Sequence, residues 1–313
     1  MNYRPCTSSV GRLCDIFRDL PEWNDWFIRA GFQLRELSPG QLSLVELREL
    51  YNPYDVQDRF ATKLLHHLLT QHRCLVSVDL NEHFFKRHHQ LTCNALRRSR
   101  NLRKVNWRMP SREVHAMRCF PALLPHLNHL QELELSGARF DNTSVKALSE
   151  FLANTRSLKT LTMTDQDHEY WDVAAILNGL KRNTTITTLS LNTSLLKQGC
   201  FSYGDDFAEY LGRKQTLLSV SYSYNYIYHD LDVLDQIVGA LFYHNTISEL
   251  KLINFKLDFQ KNELITGMLR QNRSLRILHM VDCLSYVHED SRVCRCLPSL
   301  TFLWVAALQR TRR

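Results

Sequence analysis

Residues 130–163 read LQELELSGARFDNTSVKALSEFLANTRSLKTLTM. Leu130, Leu133 and Leu135 open the stretch, and Leu158, Leu161 and Met163 close it in the same Leu-x-x-Leu-x-Leu spacing. Apolar residues at alternate positions put Leu133 and Leu135 on one face of a short strand. Between the two strands, Val145, Leu148, Phe151 and Leu152 recur at helical spacing. One strand and one helix cannot bury these faces alone, so the unit must stack against copies of itself.

The copies are present on both sides. Towards the start stand Leu75/Val78/Leu80 and Leu102/Val105/Trp107. Towards the end stand Ile186/Leu189/Leu191, Leu217/Val220/Tyr222, Ile247/Leu250/Leu252, Leu275/Leu278/Met280 and Leu300/Leu303/Val305. First positions are separated by 27, 28, 28, 28, 31, 30, 28 and 25 residues. A tenth, poorer unit is expected at Leu42/Val45/Leu47. Helical spacing returns at Val173/Ile176/Leu177/Leu180, Phe207/Tyr210/Leu211, Leu234/Ile237/Val238/Leu241 and Leu264/Met268/Leu269.

In this period the chain resembles the leucine-rich-repeat family, in its ribonuclease-inhibitor-like subtype, also found in the repeat regions of NOD-like receptors. LKRNTTITTLSL (180–191) and LRQNRSLRILHM (269–280) carry that subtype's passage from helix end to strand. The resemblance implies an α/β solenoid, a horseshoe with an inner parallel sheet and outer helices. It covers 75–310 well and 42–74 loosely. Asn225 and Cys283 match the Asn or Cys that follows each strand, whereas Ala138, Gln166, Ser194 and Phe255 depart from it. The expected organisation is an N-terminal helical cap over 1–41, holding Trp23, Trp26, Phe27 and Phe32, and a repeat domain over 42–313.

Composition sets the class. Of 313 residues 44% are apolar and 23% charged, and Gly and Pro together number only 18. That suits a large core and excludes linker-rich or broadly disordered chains. No window approaches the ~18 apolar residues of a membrane helix, and the start lacks a secretory apolar stretch, so a cytoplasmic protein with no membrane partner is expected. Nine cysteines, an odd number without a Cys-x-x-Cys pair, are expected as reduced thiols. In a chain kept from secretion, the sequons at Asn142, Asn183, Asn192 and Asn272 are expected to be idle.

No nucleophile elbow, phosphate-binding glycine loop or metalloprotease motif occurs, so no catalytic residue, cofactor or enzymatic activity is expected. Asp165, Asp167 and Glu169 are read as a hydrophilic turn. No metal site is expected either: His66/His67 and His83, His88 and His89 lack completing ligands, and Cys294/Cys296 suits alternate positions of an extended segment.

What remains is a macromolecular surface. Positions between the core leucines face outward on the sheet: Glu132 and Glu134 in one unit, then Thr160/Thr162/Thr164, Thr188/Ser190/Asn192 and Ser219/Ser221/Ser223. Lys251 and Ile253, then Ile277, His279 and Val281, end the series with charge and apolar groups. Tyr224, Tyr226 and Tyr228 of SYSYNYIYHD (221–230) are expected on the rim as exposed aromatic anchors. The expected function is non-enzymatic protein binding through the concave sheet and its rims, in the manner of NOD-like-receptor recognition. The first alternative is an F-box-type substrate receptor of a ubiquitin ligase, because LCDIFRDLP (13–21) is faintly similar to that domain. RNA binding through a basic face is the second, suggested by a net charge of +7, although nucleic acid and small molecules are not the expected partners.

Overall fold

The computed structural model describes residues 6–8, 13–29, 31–47, 58–81, 85, 89–108, 114–137, 140–164, 172–192, 195, 197–198, 201–224, 232–285, 295–296 and 300–302. At 58–61, 114–117, 197–198, 201–202, 232, 256, 284–285, 295–296 and 300–302 only the backbone is described. The chain forms two compact units, residues 1–151 with 155–158, and residues 152–154 with 159–313. Strands and helices alternate in both, an α/β repeat arrangement on a mostly parallel sheet. Among the described residues no helix is long and apolar enough to cross a membrane.

In the first unit the helix Leu20–Arg29 ends at Gly31, which takes φ 78° and donates its N–H to the Ile28 carbonyl. The chain then enters a hairpin, Phe32–Ser38 antiparallel to Gln41–Glu46. Gly40, φ 82°, makes its turn. From there the pairing is parallel: Gln41–Glu46, Leu75–Asn81, Lys104–Arg108 and Glu132–Ser136 lie side by side. The helices Asp58–Gln71, His89–Arg98 and Val114–Leu123 make the crossovers that parallel strands require. Phe85, Trp107, Phe120 and Phe140 pack in series through the core, tilted, edge-on and stacked in turn, with ring centroids 4.5–5.1 Å apart.

Two expectations about this region change. Residues 1–41 hold a strand as well as helix, because Phe32 and Leu34 alternate into the core, each 2% exposed. The unit at Leu42 exists, but a register shift after Leu42 aligns Leu44, not Val45, with Val78. Leu42 and Leu44 are therefore buried and Val45 is not.

In the second unit Thr160–Thr164, Thr188–Asn192, Ser219–Ser223, Glu249–Ile253 and Ile277–Val281 run parallel. The helices Val173–Arg182, Gly204–Arg213, Asp232–Leu241 and Phe259–Gln271 alternate with them. The last strand, Leu300–Phe302, pairs antiparallel with Ile277–Val281, where another parallel repeat is expected. The reason is a reversal of the chain: Leu284–Ser285 pairs antiparallel with Arg295–Cys296 just before it. Leu303 and Val305 lie outside the described residues.

The repeat register holds through most of its length. From Leu75 to Leu252, each first, fourth and sixth position is at most 3% exposed. Aspartates begin three helices: Asp141, Asp172 and Asp258 each accept the backbone N–H three residues on, at 2.8, 2.9 and 2.7 Å. Before the strands Thr188–Asn192, Ser219–Ser223, Glu249–Ile253 and Ile277–Val281, the other helix end is closed by the residue three before the first core position. Asn183 and Asn272 accept the N–H groups of the entering strand segment while donating to carbonyls of the preceding repeat. His244 does the same with its two ring nitrogens, and Lys214 lays its ammonium among the carbonyls of Leu180, Lys181 and Asn183.

Candidate interaction surface

The sheet face away from the core presents its side chains in rows, because parallel strands in register bring equivalent positions together. In the first unit Lys104 lies beside Glu132, and Asp79, Asn106 and Glu134 form the next row. Both glutamates are engaged by basic side chains of the neighbouring strand. Lys104 Nζ meets Glu132 Oε2 at 2.9 Å, and that hydrogen bond, outweighing partial burial, holds the lysine pKa above its ordinary value. Arg108 reaches Glu46 at 3.6 Å and Glu134 at 3.9 Å. Asn81 donates to Glu46 Oε1 at 2.7 Å, and Glu46 donates its backbone N–H to Asp79 Oδ2 at 3.1 Å. Ser77, Asn81 and Asn106 are buried under this lattice. The face is largely satisfied from within.

The second unit differs. One row runs Thr160, Thr188, Ser219, Glu249, Ile277, and the next Thr162, Ser190, Ser221, Lys251, His279. A third holds Asn192, Ser223, Ile253 and Val281. All but Asn192 stay partly accessible. The expected residues Lys251, Ile253, Ile277, His279 and Val281 thus form one contiguous corner on two adjacent strands. His279 Nε2 stands 3.2 Å from Glu249 Oε1, leaving a lysine and three aliphatic groups around a polar pair. Short hydroxyl side chains make the adjoining floor.

The tyrosine reading needs correction. Tyr224 is 5% exposed, with its ring 5.5 Å from that of Phe255. Its N–H continues the strand ladder to the Ile253 carbonyl at 2.8 Å, so the backbone is still sheet-like and turns the ring inward. Phe255, 1% exposed, gives Tyr224 a flat partner. Tyr226 and Tyr228 lie outside the described residues, as do Asp165, Asp167, Glu169, His83, His88 and Cys294. At the matching turn Cys283 is buried, its thiol 3.6 Å from the Leu252 and Val281 carbonyls.

The cysteine reading changes too. Cys93 and Cys119 are joined as a disulfide, with their Cα atoms 6.1 Å apart, so not all nine cysteines are thiols. Helical neighbours in successive repeats bring together residues that sequence spacing does not pair. Elsewhere in the first unit Cys6, Cys14, His72 and Cys74 place one ligand atom each within 4.8 Å of one another. They share no metal motif spacing, and the sequence reading passed over them. On the second unit a cleft of about 510 Å³ opens beside Tyr243, Arg273 and Arg276.

No protein-family model matches the chain. No curated protein matches it either. Among solved structures it is similar to one titled leiomodin-1 actin-binding site 2, at 18% identity and a TM-score of 0.37. The match covers 48% of this chain and 86% of that one, and a likeness of that size bears on neither ligand nor activity.

Proposed function

We propose that this is a leucine-rich-repeat protein of the ribonuclease-inhibitor-like subtype, cytoplasmic and non-enzymatic, that binds a protein partner through the sheet face of its second unit. The observation that carries the reading is the corner of Glu249, Lys251, Ile253, Ile277, His279 and Val281. Aliphatic groups rimmed by a lysine and a polar pair, next to a low hydroxyl floor, suit a protein surface that buries apolar area and matches charge at its edge. The first unit's face is the weaker docking site, since a partner would have to displace ion pairs already made. No observation favours the F-box reading: Cys14 and Ile16 of the 13–21 stretch are buried, at 2% and 3% exposure.

A photo-crosslinking residue in place of Lys251 tests the proposal in cells, with Glu209 on the helix Gly204–Arg213 as the control position. A discrete protein adduct from position 251 alone is the expected result. Equal labelling from both positions, or an adduct abolished by nuclease, argues against it.

A further inference from the structure

We infer that Cys6, Cys14, His72 and Cys74 form a structural zinc site that fastens the N-terminal segment to the first unit. The donor set is three thiols and one imidazole, the chemistry of closed structural zinc centres. Bonds of ~2.3 Å to sulfur and ~2.0 Å to nitrogen at tetrahedral angles imply S···N edges of about 3.5 Å and S···S edges of about 3.8 Å. Cys14 Sγ lies 3.5 Å and Cys74 Sγ 3.9 Å from His72 Nδ1. All four ligand atoms fall within 4.8 Å, so the widest separation exceeds a tetrahedral edge by only about 1 Å.

The surroundings are those of a closed site. Cys14, His72 and Cys74 are 2%, 6% and 3% exposed, and Cys6 is half-buried. The imidazole is oriented from its far side: His72 Nε2 is 3.3 Å from His67 Nε2, and the His67 ring stacks on Trp23. A second nitrogen held by an outer partner aims the first at a metal. The backbone holds the four in place through independent contacts. Cys6 N–H donates to the Gln71 carbonyl at 3.1 Å, Leu42 N–H to the Cys74 carbonyl at 2.7 Å, and Arg73 to the Ser8 carbonyl at 3.2 Å. Residues 6–14 and 72–74 are far apart in sequence, and zinc would join them where the first parallel strand begins. Binding displaces the three thiol protons to solvent and leaves thiolates and a neutral imidazole on the metal.

The test uses the full chain, purified without chelator. Elemental analysis should find one zinc per chain. Cobalt(II) exchanged into the reduced wild-type protein should give the intense visible bands of a tetrahedral thiolate site. Cys283→Ser, which removes a buried thiol outside the cluster, should keep the metal, and Cys74→Ser should lose it. Chelation should expose the backbone at Cys6 and Cys14 to protease before the rest of the described residues. Because a Cys74 variant can fail by misfolding, the cobalt spectrum of the wild type decides. No zinc and no tetrahedral cobalt spectrum in reduced, folded protein would overturn the assignment. So would a native disulfide between any two of Cys6, Cys14 and Cys74.

Discussion

Asn183 Nδ2 donates to the Leu152 carbonyl at 2.7 Å, across 31 residues of chain and one turn of the repeat. Its Oδ1 meanwhile accepts the N–H groups of Thr185 and Ile186, both at 2.8 Å. A helix must leave its last carbonyls without intrahelical partners, and a strand entering the sheet has N–H groups to place. One buried amide satisfies both. Asn183→Ala should cost about 1–3 kcal/mol, the range for leaving buried backbone groups unpaired. Asn183→Asp should cost at least as much, since a carboxylate oxygen would then face the Leu152 carbonyl. Urea melts of the three proteins check the order, and a neutral alanine variant would remove the amide from the account.

His244 occupies the equivalent place with a ring that titrates. Nε2 lies 3.0 Å from the Lys214 carbonyl, and Nδ1 accepts from Thr246 and Ile247 at 3.3 and 3.2 Å. Burial lowers its pKa below the ordinary 6.5, and the backbone hydrogen bonds oppose this only in part. Burial followed by a nearby arginine lowers His66 and His129 in the same direction. The unfolded chain then takes up protons that the folded one refuses. The contribution to stability is complete above 6.5 and lost as pH falls below it. Thermal midpoints measured from about pH 7.5 to 5 should therefore decline, and decline less in His244→Asn, which keeps a donor and an acceptor without a titrating ring. Parallel slopes for the two proteins would show that His244 carries none of the effect.

The core was legible because leucines recurring every ~28 residues leave one way to bury themselves, and from Leu75 to Leu252 the structure uses it. What escaped were features that depend on a single residue of register or on distance in space. Leu44 replaced Val45 through a local shift, and the antiparallel Leu300–Phe302 followed a chain reversal that periodicity does not encode. Tyr224 was misplaced because its burial depends on Phe255 in the next repeat. The Cys6, Cys14, His72 and Cys74 group has no characteristic spacing; only bringing Cys6 and Cys14 against the turn at 72–74 assembles it.

Cys93 and Cys119 close a loop with a sequence separation of 26 between two helices of neighbouring repeats. Constraint of the unfolded chain by a loop of that size contributes about 3–4 kcal/mol. Alkylation of native protein without reductant, followed by peptide mapping, should recover residues 93 and 119 in one cross-linked peptide, with Cys283 modified only after unfolding. Cys93→Ser should lower the denaturant midpoint while the parent bridge is intact and match the parent once that is reduced. Alkylated Cys93 and Cys119 in untreated protein would contradict the pairing.

Tyr222 occupies a core position of its strand, is fully buried, and its ring lies 5.6 Å from Phe207 in an edge-on arrangement. Its hydroxyl has no hydrogen-bond partner among the described residues, and the same is true of Tyr210. Burial holds both phenols above their ordinary pKa, so neither ionises near neutrality. A hydroxyl taken out of water and given nothing in return costs about 1–3 kcal/mol. Removing it leaves the ring, its contact with Phe207 and nearly all of the buried area in place. Tyr222→Phe should accordingly be neutral or stabilise the protein by up to ~1 kcal/mol, part of the gain being offset by the small void left behind. Tyr222→Leu loses the ring contact and should destabilise by roughly 1–3 kcal/mol. A clear loss of stability in Tyr222→Phe would mean that the hydroxyl is hydrogen-bonded in the folded protein, and the residue would then be held by its polar tip as well as its ring.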